Sequence, residues 1–153
     1  MMKLRWIGDT YYGEPMDQVI RRWSPATPRY SPSGLSMAFD NGELFGVNGR
    51  YYYISSNEMR GKVTECDFSY FCQSRDEADR VYDLLKKKLM EMYGRADNVD
   101  GGLTHRYFMH NTIILSDLQW LGYDDVLVLQ LEGDIANGNK IYIVRIIVCK
   151  QAH

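Results

Sequence analysis

Two Asn-Gly steps, Asn41-Gly42 and Asn48-Gly49, place the strongest constraint on the fold, because they interrupt a stretch rich in β-forming residues. Asn and Gly tolerate the positive φ angles that a tight type I′ hairpin turn requires. The runs 35–40, 43–47 and 50–55 are short and rich in aromatic and aliphatic residues. The pattern predicts a three-stranded antiparallel meander, with a turn at each Asn-Gly step.

Two segments, residues 15–23 and 75–93, have the spacing of amphipathic helices. Pro15 suits the first position of a helix. Ser74 and Glu77 form a capping box at the start of the second segment, and a glycine at position 94 is a typical stop. The apolar residues at helical spacing are Met16, Val19, Ile20 and Trp23 in the first helix, and Ala78, Val81, Tyr82, Leu85, Leu89 and Met92 in the second.

The order of the elements predicts the fold class. A fourth, longer strand is expected at 63–72, before the second helix, and four more strand-like runs follow that helix, at 104–109, 112–118, 126–132 and 141–149. The order α-β-β-β-β-α-β-β-β-β lacks the alternation of strand and helix that builds parallel sheets. We therefore expect one α+β domain over residues 1–153, a two-layer sandwich in which both helices cover one face of an antiparallel sheet.

The expected register divides the sheet residues between two faces. The face under the helices, here called the helix-side face, would carry Leu35, Met37, Phe39, Leu44, Tyr51, Tyr53, Cys66, Phe68, Tyr70 and Cys72. The opposite face, here called the mixed face, combines apolar and charged residues, and Val47 is expected on it. Its candidate binding residues are Phe45, Arg50, Tyr52, Ile54, Glu65 and Asp67.

The mixed face has more than one interpretation. Tyr combines a large apolar area with a polar tip, which is useful in a binding surface. Scattered apolar residues on an exposed sheet face also occur without any function, and the N-terminal segment or a loop would cover the face equally well. A non-enzymatic binding or protein-interaction module is the leading hypothesis. A homo-oligomer whose subunits meet at this face is an alternative.

The charged residues in the predicted strands do not indicate a catalytic site. Glu65 and Asp67 lie two positions apart on one strand, and paired carboxylates divide acid and base roles in some hydrolases. A solvated strand face explains the same pair more simply, so we expect no catalytic residues, and the hydrolase is an alternative only. Arg145 lies within an apolar strand, which predicts an ion pair across the sheet with Glu65 or Asp67.

Cysteine and histidine spacing predicts neither a disulfide nor a metal site. Cys66 and Cys72 would lie about 20 Å apart along one strand, too far for a disulfide. No closely spaced pair of ligands suits zinc, and His105 and His110 would point to opposite faces of a continuous strand. With Cys149, the cysteines are expected to be buried free thiols. We expect no metal and no cofactor.

Composition limits the classes of partner. Lys plus Arg number 18 against 20 Asp plus Glu, for a net charge of −2, which argues against a nucleic-acid partner. No apolar run approaches the ~18 residues of a membrane span, and charged residues interrupt the first twenty positions. A soluble, cytoplasmic protein is expected. An envelope location would require that a leader has been removed.

The layout resembles a known group of small domains. The chain has Glu-Pro-Met-Asp-Gln-Val-Ile at residues 14–20, then a meander, then a charged helix ending in Leu-Met-Glu-Met-Tyr-Gly at residues 89–94. This order is similar to two-layer domains of the β-lactamase-inhibitor-protein and outer-membrane-assembly lipoprotein type, and to many bacterial proteins of unknown function. The resemblance implies a binding or interaction module. The chain departs from those lipoproteins because it has no lipobox cysteine.

Overall fold

The computed structural model describes residues 13–22, 29–30, 36–54, 61–97, 112–122, 125–134 and 141–150. These residues form two helices and seven strands, which confirms the α+β class. The elements are α1 (Met16–Arg22), β1 (Arg29–Tyr30), β2 (Ser36–Leu44), β3 (Val47–Ile54), β4 (Glu65–Cys72), α2 (Arg75–Tyr93), β5 (Thr112–Leu121), β6 (Asp125–Asp134) and β7 (Tyr142–Lys150). The strand expected at 104–109 lies outside the described residues.

All seven described strands belong to one antiparallel sheet in the order β1-β2-β3-β4-β7-β6-β5. α1 precedes β2, β3 and β4 along the chain, and α2 precedes β5, β6 and β7. The last strand of each set lies at the centre of the sheet, where β4 pairs with β7 over eight residues each. The sheet is therefore built from two meanders that meet at their final strands.

The hairpin of β2 and β3 shows that the expected three-stranded meander is wrong. Its turn lies at Phe45 and Gly46, whose φ angles are 52° and 84°, rather than at either Asn-Gly step. Both strands continue through those steps, so that Gly42 pairs with Gly49. A register shift between Phe39 and Gly42 adds one residue to β2. Two long strands replace the three short ones.

Packing explains why the turn lies where it does. With the turn at residues 45 and 46, Leu44 pairs with Val47 and both side chains enter the helix-side core. Val47 was expected on the mixed face, and that expectation is wrong. A Cβ at Gly49 would lie 2.7 Å from the Phe68 ring, so this glycine makes room for a core aromatic instead of forming a turn. Burial of apolar side chains outweighs the local turn preference here.

Helix α2 follows the sequence prediction closely. The Ser74 hydroxyl accepts a hydrogen bond from the backbone N–H of Glu77 at 3.1 Å, and the helix ends before Gly94, whose φ is 83°. Its buried residues are Ala78, Val81, Tyr82, Leu85 and Leu89. Met92 was expected in this stripe but is 46% exposed, whereas Tyr93 at the end of the helix packs against the core. The helix packs against β4, β6 and β7.

The helix-side core lies between the helices and the sheet. Phe68 and Trp120 are its largest buried side chains, and the Trp120 indole N–H donates to the Gly94 carbonyl oxygen at 3.0 Å. α1 contributes Met16 and Val19, and is joined to the β4 side by a hydrogen bond from Met16 N to the Gly61 carbonyl. The alternation of strand residues also places Cys66, Phe68, Tyr70 and Cys72 in this core, as predicted.

The mixed face is buried over much of β6 and β7. Val126, Val128, Ile147 and Cys149 form a second apolar cluster there, with Leu121 of β5 against it. Its other residues in the three central strands, by strand alternation and register, are Glu65, Asp67, Ser69, Phe71, Ile143, Arg145, Gln130 and Glu132. Of the alternatives that the sequence left open for this face, a covered face therefore holds for this part, where even the charged Arg145 is 2% exposed.

Candidate functional site

A charged cluster is buried on the mixed face, with Arg145 at its centre. Arg145 lies opposite Ser69 on β4 and Gln130 on β6. Asp67 lies two residues before Ser69 on β4, and Glu132 lies two residues after Gln130 on β6. The two acids therefore flank Arg145 toward opposite ends of the strands. Diagonal neighbours of this kind lie within reach of a long side chain. The register therefore places one carboxylate on each side of the guanidinium group.

Contacts within the cluster are short. Arg145 Nη1 donates to Glu132 Oε1 at 3.0 Å, and Arg145 Nε lies 3.4 Å from Asp67 Oδ2. The Ser69 hydroxyl donates to Asp67 Oδ1 at 2.8 Å and accepts from Arg145 Nε at 3.3 Å. The ion pair between Arg145 and Asp67 confirms the prediction made from the lone arginine in an apolar strand.

Both carboxyl groups, Asp67 and Glu132, have pKa values above those of ordinary carboxyl groups. Burial raises the pKa of Asp67, against the opposing effects of the Arg145 charge and the Ser69 hydroxyl. Burial also raises the pKa of Glu132, where Arg145 opposes the change and the charge of Asp67 adds to it. The Glu132 side chain is 2% exposed, and its Oε2 has no hydrogen-bond partner. The Asp67 side chain is 15% exposed and borders solvent.

The strand register places three of the candidate binding residues beside this cluster. Arg50 pairs with Ser69, Tyr52 with Asp67 and Ile54 with Glu65. These positions belong to the mixed face, as predicted, although the side chains of residues 50–54 lie outside the described part of the structure. Tyr52 is thus the β3 position directly opposite Asp67.

Phe45 does not join the other candidates. It lies in the β2–β3 turn and packs against the helix-side core. The sequence interpretation placed Phe45 on the mixed face in a short middle strand, but the structure pairs Ala38 directly with Tyr52 and has no strand between them. The displaced turn changes the alternation of residues 40–47, which is why Phe45 leaves the mixed face.

Glu65 and Asp67 share the mixed face, but the contacts of Asp67 are with Ser69 and Arg145. Glu65 is buried. The carboxylate that shares a cation with Asp67 is Glu132, which the sequence interpretation missed. Glu132 lies among apolar residues of β6, which marks it as a buried charge, but this pattern does not indicate which cation it pairs with.

The mixed face also has an exposed apolar end that the sequence interpretation missed. Phe71, near the end of β4, is 53% exposed, and Ile141 just before β7 is exposed as well. Phe71 pairs with Ile143, so Ile141 is its diagonal neighbour across the strand pair. Alternation along β4 had already placed position 71 with Glu65, Asp67 and Ser69, which is the signal that would have found it.

The described residues give no support to metal or thiol chemistry. No three of their His, Cys, Asp and Glu side chains are grouped in a way that suits a metal ion. Cys66, Cys72 and Cys149 are buried thiols that form no disulfide, as predicted. Burial, assisted by the charge of Glu77, raises the pKa of the Cys72 thiol to about 12. Neither described helix has the length and apolar character needed to cross a membrane.

Comparisons with known proteins leave the family open. No protein-family model matches the chain, and no curated protein or solved structure is significantly similar to it. The resemblance to inhibitor-protein and lipoprotein domains therefore stays an expectation. The class of molecule is that of an α+β domain with a buried charged cluster on one face of its antiparallel sheet.

Proposed function

We propose that the protein is a non-enzymatic binding module that contacts a protein partner through the solvent-facing parts of the mixed face. The proposed contact residues are Arg50, Tyr52 and Ile54 on β3, beside Asp67 on β4. Glu65, a candidate from the sequence, is left out because it is buried. The observation that carries the proposal is the exposed Phe71 on the same face of the same strand. Large aromatic side chains are enriched where proteins bind one another.

The size of this surface suits a protein partner. Positions 65 and 71 on β4 are separated by about 20 Å at 3.3 Å per residue. Phe71 and the neighbouring Ile141 are the exposed apolar side chains described at one end of this surface. Asp67 supplies a polar group at its edge, since its side chain still borders solvent. Phe45 is left out of the proposed surface because it packs on the helix side.

Affinity capture from a cell lysate tests the proposal with three variants. Tyr52→Ala and Phe71→Ser remove apolar area from the proposed surface. Met92→Ser is the control, because it removes an exposed apolar side chain from α2 instead. We expect a reproducible partner that the wild type and Met92→Ser retain and that the other two lose. Equal capture by all four proteins, or no specific partner for the wild type, would contradict the proposal.

A homo-oligomer that uses the same face is the first alternative. The same variants address it, because sedimentation equilibrium reports the mass of the purified protein. If the wild type is an oligomer and both Phe71→Ser and Tyr52→Ala are monomers, the partner at this face is a second copy of the chain. A wild-type monomer would exclude this alternative at the concentrations measured.

A small hydrolase using Glu65 and Asp67 is the second alternative. Its support is the raised pKa of Asp67, since a general acid must hold its proton near neutral pH. Hydrolysis of a panel of chromogenic esters, phosphoesters and glycosides measures it directly. Activity lost in Asp67→Asn and in Glu65→Gln would favour the hydrolase over the binding module.

A further inference from the structure

We infer that Asp67 and Glu132 together hold one proton at neutral pH, so that the buried cluster contains one ionised carboxylate beside Arg145. The inference concerns the folded chain itself and does not depend on the proposed binding function. It follows from the number of charges in the cluster and from the hydrogen-bond partners of the two carboxyl groups.

The charges do not balance if both acids are ionised. Asp67 and Glu132 share the guanidinium group of Arg145, at 3.4 Å and 3.0 Å. Among the residues whose side chains the structure describes, no other cation forms an ion pair with either acid. Two buried carboxylates around one guanidinium would leave a net negative charge in a site where unpaired charge is strongly disfavoured. One bound proton makes the cluster neutral.

The hydrogen-bond partners of the two carboxyl groups also indicate one bound proton. Asp67 receives the Ser69 hydroxyl on Oδ1 and faces Arg145 with Oδ2. Glu132 uses only Oε1, and its buried Oε2 has no partner. An ionised oxygen without a donor loses its hydration without replacement, whereas a neutral carboxyl group loses much less. The raised pKa of each acid agrees with this argument.

Neighbouring strands bring few other charges to the cluster. β4 also carries Glu65, two residues from Asp67, and β5 carries the exposed Asp117 opposite Gln130. Both of these are acids and would favour retention of the proton. On β3, the Arg50 position pairs with Ser69, which makes it a diagonal neighbour of Asp67 and places it three strands from Glu132, or about 14 Å. The Arg50 side chain lies outside the described part of the structure. Glu65 and Asp117 are acceptors when ionised, so neither carboxylate supplies the donor that Glu132 Oε2 lacks.

A shared proton has a definite effect on folding. An unfolded chain releases its carboxyl protons near the ordinary pKa of about 4, whereas the folded pair keeps one at higher pH. Folding then takes up a proton, and the stability it contributes is fully present below the unfolded pKa. That contribution is lost as the pH rises toward the folded pKa. Within this interval the folding equilibrium constant falls about tenfold per pH unit from this pair.

Infrared spectroscopy and urea unfolding test the inference together. We expect the wild type at about pH 7 to show the C=O stretching band of a protonated carboxyl group. Glu132→Gln and Asp67→Asn each leave one carboxylate for Arg145, so each variant is expected to lose the band and the matching pH dependence. Asp117→Asn, an exposed acid on the adjacent strand, is the control and is expected to retain both.

Two results would overturn the inference. The first is the absence of a protonated-carboxyl band in the folded wild type, which requires no variant and is decisive even where a substitution prevents folding. The second is an equal change in the free energy of unfolding of the wild type and of Glu132→Gln between about pH 5 and pH 8. Combining both substitutions leaves Arg145 without either carboxylate, and the double variant is expected to be less stable than either single one.

Discussion

Arg145 and Glu132 lie on neighbouring central strands with Nη1 and Oε1 3.0 Å apart, and both side chains are almost completely buried. Such a pair adds little to stability by comparison with well-packed apolar residues, but loss of one partner leaves the other buried and unpaired. The pair also favours one alignment of β6 and β7, because a slip of one residue would move a charge into the helix-side core.

Replacing Arg145 with Met should therefore destabilise the protein. Arg145 contacts Ser69 and both carboxylates, so its loss leaves three buried polar groups without that partner. We expect a decrease of about 3–5 kcal/mol in the free energy of unfolding, measured by urea denaturation. Arg75→Met is the matched control, since Arg75 forms an exposed ion pair with Asp79 and should matter far less. Equal stability of Arg145→Met and wild type would show that the cluster is not a structural unit.

Gly49→Ala should be destabilising although the glycine lies within a strand. The added methyl group would meet the Phe68 ring at 2.7 Å and the Ser69 carbonyl oxygen at 2.6 Å. We expect a loss of about 1–3 kcal/mol, which is typical of overpacking, in thermal or urea unfolding. Asn48→Ala, at an exposed neighbouring position, should change stability little. If Gly49→Ala were as stable as Asn48→Ala, the close packing of β3 on Phe68 would be incorrect.

Ser74→Ala removes the N-terminal cap of α2. The Ser74 hydroxyl is the acceptor for the Glu77 backbone N–H, so its loss leaves that donor to water. Stability should fall by about 1 kcal/mol, whereas Ser74→Asp should keep most of it because aspartate caps equally well. Urea unfolding of the three proteins measures the difference. If Ser74→Ala and Ser74→Asp lose the same stability, the side-chain acceptor does not stabilise the helix at this position.

The three thiols should be unreactive in the folded protein. All are buried, and the pKa of about 12 at Cys72 keeps that group protonated and weakly nucleophilic. A disulfide reagent added at about pH 8 should label none of them quickly in the native state and all three in concentrated urea. Rapid native labelling of any one, identified by peptide mass, would show that its surroundings open readily.

The site illustrates which relationships between residues can be inferred in advance. Arg145 in an apolar strand indicated a buried ion pair, and alternation along β4 made Asp67 a candidate partner, as the structure confirms. Glu132 was missed because its approach to Arg145 depends on the alignment of β6 with β7. That alignment arises from pairing between distant segments, for which the local pattern contains no direct signal.

Local sequence alone determined the two helices, the caps of α2 and the alternation of β4. These features depend on interactions within a few residues, such as the bond between Ser74 and Glu77. Only the tertiary structure decided that the Asn-Gly steps lie inside strands and that the turn is at Phe45 and Gly46. The physical reason is that burying Leu44 and Val47 while fitting Phe68 against β3 stabilises the fold more than an ideal turn sequence does.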